Sequence, residues 1–216
     1  MRLNAIFLLL TGFLTAPASA LDIVNGNFEN PPIGTGTFNL VLPGWSQSLD
    51  GQAAGVWNIP ADFSQFDAEA PEGTQIGYSN NLSMAQQSSR ILTADAVALF
   101  AFGGRRNDAN AGSFFMELWA GGTVVNGDVS GGTLLSSVNF DHTLIAPSSF
   151  LNIQTSYTPI LGDPLIGQLL SVRFVRTSGV QMNMDAVRFN AVPEPSSAMA
   201  ALIVGLVVGC KRRRRL

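Results

Sequence analysis

Carboxylates and aromatic rings are the side chains of this chain with the most chemistry to offer. Asp62, Asp67, Glu69 and Glu72 gather around Phe63 and Phe66. Two carboxylates held about 5–9 Å apart are the machinery of glycoside hydrolysis. Crowded into one loop flanked by Pro and Gly, these four read more simply as solvated charge. Asp141 and His142 stand side by side, with serines elsewhere to complete a nucleophilic triad on paper. No Gly-x-Ser-x-Gly turn accompanies them, and neighbours on one strand point to opposite faces. His142 is the single histidine, which excludes a histidine metal cluster. Flat aromatic faces with a few polar groups suit a sugar ring. Trp45, Trp57, Phe63, Phe66, Tyr78 and Trp119 are the rings available. Trp57, Tyr78 and Trp119 are the ligand-binding candidates, Trp119 because Glu117 shares its strand face; the alternative for each ring is a place in the core. Asn81-Leu82-Ser83 matches a glycosylation sequon by chance.

These residues must be positioned by strands. Glycine is abundant, at 22 residues, and turn signals recur at short intervals: Asn25-Gly26, Pro43-Gly44, Gly103-Gly104, Gly121-Gly122, Asn126-Gly127 and Gly131-Gly132. Short runs rich in Val, Ile, Phe and Leu lie between them, the rhythm of an antiparallel β-sandwich or barrel. No stretch sustains a 3.6-residue apolar period long enough for a major helix. In Asp95–Phe102, Val97 and Leu99 face one way and Phe100 and Phe102 the other, so this strand is expected at the centre of a sheet. Phe114, Met116 and Leu118 share one face; Phe115, Glu117 and Trp119 share the other. Leu134–Phe140 and Leu169–Arg176 are similar, with Val172 and Phe174 inward and Arg173 outward. Strict alternation in the last strand puts Asp185, Val187 and Phe189 together, opposite Arg188. From Leu21 to Ala70 the strands are less regular and longer loops are expected.

The two ends read as addresses. Residues 1–20 carry an early Arg2, an apolar run from Ala5 to Leu14 and Ala18-Ser19-Ala20, the three parts of a secretory signal peptide cleaved by signal peptidase after Ala20. Residues 192–216 run Val192-Pro193-Glu194-Pro195, an apolar stretch from Ala198 to Cys210, and then Lys211-Arg212-Arg213-Arg214-Arg215. Lys and Arg cost roughly 2.5–3.5 kcal/mol each at a bilayer centre, so this basic run acts as a membrane stop. Between the ends, residues 21–191 form one domain with 14 acidic residues against six arginines and no lysine. A nucleic-acid partner needs a basic stripe that this domain lacks. The single cysteine, Cys210, lies in the tail, so the domain holds itself together without a disulfide.

The ordered tail of Pro-Glu-Pro, apolar segment and basic stop resembles the PEP-CTERM sorting signal of bacteria that make extracellular polysaccharide. The resemblance implies recognition by a membrane-embedded exosortase at Val192–Pro195, transient anchoring in the inner membrane through a C-terminal hydrophobic helix, and delivery to the cell surface or matrix. A second resemblance runs through the domain: Asn25-Gly26-Asn27-Phe28-Glu29, Pro43-Gly44-Trp45, Pro71-Glu72-Gly73-Thr74-Gln75 and Asp185-Ala186-Val187-Arg188-Phe189, in that order. This set is similar to galactose-binding-like jelly rolls, which include bacterial carbohydrate-binding modules and the DUF642 proteins of plant cell walls, although the conserved cysteines of the plant proteins are missing. It implies an all-β jelly roll, no catalysis, a structural Trp45, and one structural Ca²⁺ bound by Glu29 and Asp185 to join the first strand to the last. Ca²⁺ takes six to eight oxygen ligands, which carboxylates and carbonyls supply; the alternative for Glu29 is an ion pair with Arg188 or a turn cap.

Together these observations lead to the expectation of a non-catalytic surface or matrix protein that binds polysaccharide. A hydrolase of matrix glycans and a purely structural matrix component are the rivals.

Overall fold

The computed structural model describes residues 22–50, 52–59, 65–66 and 68–191. Among them, thirteen strands and one 3-10 turn follow in order. The irregular first third supplies only β1 (Phe38–Asn39), β2 (Ser46–Gln47) and β3 (Ala54–Asn58). Longer strands come next: β4 (Gln75–Ser79), β5 (Ser83–Ile91), β6 (Val97–Arg105) and β7 (Ser113–Ala120). A small hairpin, β8 (Thr123–Val125) and β9 (Asp128–Ser130), precedes β10 (Thr133–Phe140) and the turn His142–Leu144. The chain ends in β11 (Ser149–Tyr157), β12 (Leu169–Ser178) and β13 (Met182–Ala191). No α-helix occurs among the described residues, as the lack of helical periodicity predicts. The expected signal helix in residues 1–20 and hydrophobic helix in residues 192–216 lie outside them.

Two antiparallel sheets face each other. One has six strands in the order β1-β3-β4-β13-β6-β11, the other five in the order β10-β7-β12-β5-β2. β6 sits between β13 and β11, which accounts for its two apolar faces. Asn126 and Gly127 both take positive φ, 50° and 72°, the two-residue turn that matches the twist of a hairpin, here β8–β9. The glycine pair Gly103-Gly104 is different. It reads as a turn in sequence but lies inside β6, because side chains occupy the space that Cβ atoms would need on both faces. A Cβ at Gly103 would stand 2.4 Å from Phe140, and one at Gly104 2.6 Å from Phe150.

The core between the sheets is organised by a file of rings. Phe28 stacks on Trp45 at 5.6 Å, Trp45 meets Phe174 at 5.8 Å, Phe174 meets Phe114 edge-on at 5.6 Å, and Phe114 stacks on Phe140 at 4.8 Å. Four of these five are fully buried, and Trp45 is 7% exposed. The inward alternation of Phe114, Met116 and Leu118, and of Val172 and Phe174, is as the pattern predicts.

The last strand departs from strict alternation. Its register against β6 slips between Asp185 and Arg188, and Ala186 has a φ of 51°. This bulge adds one residue, so Val187 and Phe189 face the core while Asp185 turns to the outside of the sheet opposite Phe102. The bulge also receives the N-terminal segment: Val187 N–H donates to the Gly26 carbonyl at 2.8 Å. The first and last segments of the domain therefore meet, as the ordered motifs imply.

Truncating the middle of the ring file opens a cavity bounded by rigid neighbours. Phe174→Ala is expected to lower stability by about 3–5 kcal/mol in guanidinium unfolding. Phe115→Ala, on the outward face of β7, is expected to cost less than about 1 kcal/mol. Equal losses for the two would contradict this account of the core.

Candidate functional site

The outer face of the six-stranded sheet is unusually apolar, and strand register sets out its side chains in rows. Phe38 pairs with Trp57, and Trp57 with Ile76. That row continues to Asp185, one residue past the Met184–Gly77 pair, and then to Phe102. In the next row Tyr78 pairs with Asn183, and beyond it Gly104 pairs with Phe150. Trp57, Ile59, Phe66, Ile76 and Tyr78 form a second buried cluster on this face, with Phe66 stacked on Phe150 at 4.7 Å. A sheet face facing water would be polar; this one is covered.

At one end of the face lies a cleft of about 330 Å³, within the usual size range of small-molecule sites. Phe38, Trp57 and Tyr78 supply its aromatic walls, and Gln65, Asn80, Arg106 and Gln181 its polar groups. Phe38 is 67% exposed and meets Tyr78 edge-on at 6.4 Å. The Arg106 guanidinium lies over the Trp57 ring, 5.4 Å from its centroid. It pairs with Asp108 at 2.6 Å and donates to Gln65 at 2.6 Å and to Gln181. Desolvation is offset by these partners, so the charge holds the cleft floor in one geometry. Burial pushes the Tyr78 phenol above its ordinary range, which keeps it a neutral hydroxyl donor. Beside it, Asn183 is fully buried and neither end of its amide has a hydrogen-bond partner. Buried amides without partners are rare in native proteins.

A second polar group of interest lies on the same face. Asp185 accepts from the Glu72 N–H at 2.8 Å and from the Ala186 N–H at 2.7 Å. Glu29 accepts from the Thr74 and Gln75 N–H groups at 2.8 and 2.7 Å. The two expected calcium ligands thus grip the same loop, Glu72–Gln75, from either side. Burial pushes the Asp185 carboxyl up to about 8; the charges of Glu72 and Glu29 add to the rise, while the two N–H donors oppose it. Among the described residues no group of three or more His, Cys, Asp or Glu is arranged to hold a metal. Arg188 pairs with Glu72 at 3.6 Å rather than with Glu29.

The remaining sequence candidates disperse. Trp119 lies on the outer face of the five-stranded sheet, away from Trp57 and Tyr78. Its indole N–H donates to Glu117 at 2.9 Å, and Glu117 pairs with Arg173 at 3.2 Å. Trp45 is a core residue, whereas Phe66 stays with Trp57 and Tyr78 in the cluster on the covered face, edge-on to Trp57 at 6.1 Å. Phe63, Asp62 and Asp67 lie outside the described residues, as do Val192–Pro195 and Lys211–Arg215. Asp141 and His142 are not on one strand, because β10 ends at Phe140 and Asp141 caps the 3-10 turn. Ser113 bridges them, 2.8 Å from His142 Nδ1 and 3.3 Å from Asp141. In a triad the imidazole stands between hydroxyl and carboxylate; here the serine does, which makes a turn cap. Asn81 is buried and donates to Gln47, so the sequon carries no accessible acceptor. Sequence reading missed Asn80, Arg106 and Gln181; the only local signal was the paired arginine at the end of β6.

The family comparison then decides between the functional readings of the chain. The family described as HpiC1-like, HpiC1 cyclase, matches residues 19–190. The chain belongs to this cyclase family. No curated protein matches the sequence. Among solved structures, the Stig cyclase Fisc from Fischerella sp. TAU, in complex with (3Z)-3-(1-methyl-2-pyrrolidinylidene)-3H-indole, is 19% identical with a TM-score of 0.64, over 80% of this chain and 97% of that one. A cyclase from Fischerella sp. TAU in complex with 4-(1H-indol-3-yl)butan-2-one is 19% identical at a TM-score of 0.65, over 82% and 98%. An apo cyclase from Fischerella sp. gives 19% and 0.65, over 80% and 96%. These likenesses show a shared fold. Family membership corrects the functional expectation: a non-catalytic, carbohydrate-binding surface or matrix protein, identified through its sorting tail, gives way to an enzyme of the cyclase class. The error came from the jelly-roll resemblance, because a fold of this kind hosts binding modules and enzymes alike.

The raised Asp185 carboxyl has a consequence for stability. An acid with a higher folded than unfolded pKa binds its proton more tightly when folded, so its contribution is present below about 4 and is lost as pH rises to about 8. In chelator, unfolding free energy is expected to decline across that window, and Asp185→Asn to flatten the decline. An unchanged slope in the variant would remove the assignment.

Proposed function

We propose that this chain is a cyclase that closes a ring in a neutral, largely apolar substrate bearing an indole or similar flat aromatic system, bound in the cleft of Phe38, Trp57 and Tyr78. The match of the cyclase family across residues 19–190 carries this reading. The cleft volume and aromatic walls support it, and the two Fischerella proteins solved with indole-bearing molecules suggest the substrate class. Ring closure of an unsaturated substrate onto an electron-rich ring is an isomerisation. One proton adds to a substrate carbon, a carbon–carbon bond forms at the electron-poor centre so created, and the attacked ring carbon releases a proton. Ring faces stabilise such a centre through their negative quadrupole, by about 0.5–2 kcal/mol each. In this cleft Tyr78 and Phe38 offer those faces, while Arg106 already occupies one side of Trp57. The neutral Tyr78 hydroxyl and the unpartnered Asn80 Oδ1, both on the cleft lining, are the groups available to orient a substrate polar atom.

The order of strands in the two facing sheets supports the jelly-roll reading of the sandwich. A calcium ion would be held by Glu29 and Asp185, whose hard oxygens suit it and which both accept from N–H groups of the same loop. Its part would be structural, tying the N-terminal segment and β13 to Glu72–Gln75. Export follows from the signal-like residues 1–20 and the sorting-type tail. The family match stops at residue 190, which supports reading the tail as an address separate from the cyclase.

Calorimetric titration with 4-(1H-indol-3-yl)butan-2-one is expected to show binding that Trp57→Ala or Tyr78→Ala weakens about tenfold, a loss of about 1.4 kcal/mol. Trp119→Ala should leave affinity unchanged, and absence of binding to the wild-type chain would overturn the substrate class. Asn80→Leu is expected to slow formation of a ring-closed isomer, followed by NMR, while stability holds, because its Oδ1 has no partner to lose. If calcium binds, it raises the melting temperature, and Glu29→Gln removes the increment.

A further inference from the structure

We infer that the loop joining β11 to β12 is a lipid-facing tip that seats one end of the sandwich on the bilayer entered by the apolar tail. The inference rests on the reading of Ala198–Arg215 as a segment that enters a membrane. At the crest of the loop Ile160 is 74% and Leu161 104% exposed. Ile166, Leu169 and Ile91 are also exposed, at 40%, 39% and 49%, and Leu169 pairs with Ile91 across β12 and β5. Exposed apolar groups at a loop crest are costly in water and mark a contact surface. The one ionisable side chain of residues 158–168 is Asp163, and it is turned inward. It is 7% exposed and accepts from the Tyr157 hydroxyl and the Leu165 N–H. The crest therefore offers hydrocarbon with no charge to desolvate. The loop is also held in place, with Leu92 N–H donating to Gln168 and Gly167 N–H to Leu92, both at 2.9 Å. Asp95, on the adjoining turn, is an exposed charge at this end, which favours a zwitterionic surface over an anionic one.

The strand register explains why lipid, and at this end. Ala191 and Tyr157 both pair with Val97, so β13 leaves the sheet beside the start of this loop. The apolar stretch begins seven residues later, at Ala198. Seven residues span at most about 25 Å. A tail seated in a bilayer thus brings this end of the domain to the surface. Gln181 precedes β13 and Arg106 follows β6, so the cleft lies at the opposite end. β13 has ten residues, so about 33 Å of strand separates cleft from lipid. An apolar substrate cleft held away from the bilayer is one that lipid does not fill.

The test uses the intact chain with Cys210→Ser, adding either Leu161→Cys or Leu144→Cys, labelled with an environment-sensitive fluorophore and floated with phosphatidylcholine vesicles. Leu144 is 80% exposed in the turn after β10, at the far end. Flotation reads the tail; the label reads the tip. The expected result is flotation of both proteins, a blue shift at position 161 and an aqueous spectrum at position 144. Flotation with an aqueous spectrum at 161, or with equal shifts at both positions, overturns the tip. Failure to float overturns the membrane reading of the tail and the tip with it.

Discussion

The N-terminal strap across β13 is the constraint on which the rest of this structure depends. Gly26 lies so close to the bulge that a Cβ there would stand 2.2 Å from the Val187 carbonyl oxygen. Two residues on, Phe28 fills the space over Gly77, where a Cβ would stand 2.5 Å from the ring. Glu29 then holds the loop that leads into β4. Three consecutive functions of one short segment thus fix β13 against β4 from the inside and from the edge. Without a disulfide in the domain, this junction is what closes the sandwich, and it works because two glycines let backbone and ring approach where any side chain would intervene.

The same junction decides which polar groups lie on the covered face. The bulge turns Asp185 out of the core and onto the covered face, in line with Trp57 and Ile76. That placement raises its pKa through burial, and it leaves Asn183, two residues earlier, next to Tyr78. Two buried polar side chains therefore interrupt an otherwise apolar surface. Such a surface fits a molecule that is itself mostly apolar with one or two polar atoms. A sugar, with hydroxyls around its whole edge, asks for more hydrogen-bonding partners than this cleft offers: Arg106 engages both glutamines and Asp108, and the Asn80 Oδ1 is the lining acceptor left without a partner.

A fold of two antiparallel sheets serves binding modules and enzymes alike, so the architecture leaves the activity open. The cyclase assignment comes from family membership across residues 19–190, and the covered face is where we propose that it acts. The two outer faces of the sandwich divide the labour. One carries the aromatic cleft. The other is closed by the β8–β9 hairpin and by the ion pairs of Arg173 with Glu117 and Asp128.

The strands, their inward faces and the antiparallel class were legible along the chain, because alternation with period two is a local property that burial enforces residue by residue. Phe114, Met116, Leu118, Val172 and Phe174 needed no tertiary knowledge to be assigned inward. The meeting of the first segment with the last was legible through ordered motifs. Other features belong to tertiary structure alone. The bulge at Ala186 moves Asp185 to the opposite face; Gly103 and Gly104 sit within a strand because rings press on both sides; Trp57, Tyr78, Arg106 and Gln181 converge from positions more than a hundred residues apart. The amino-acid order settles which side chains each strand can bury, since that depends on neighbours in sequence. Which of them share a cleft depends on register between distant strands, and that is set only when the sheets close.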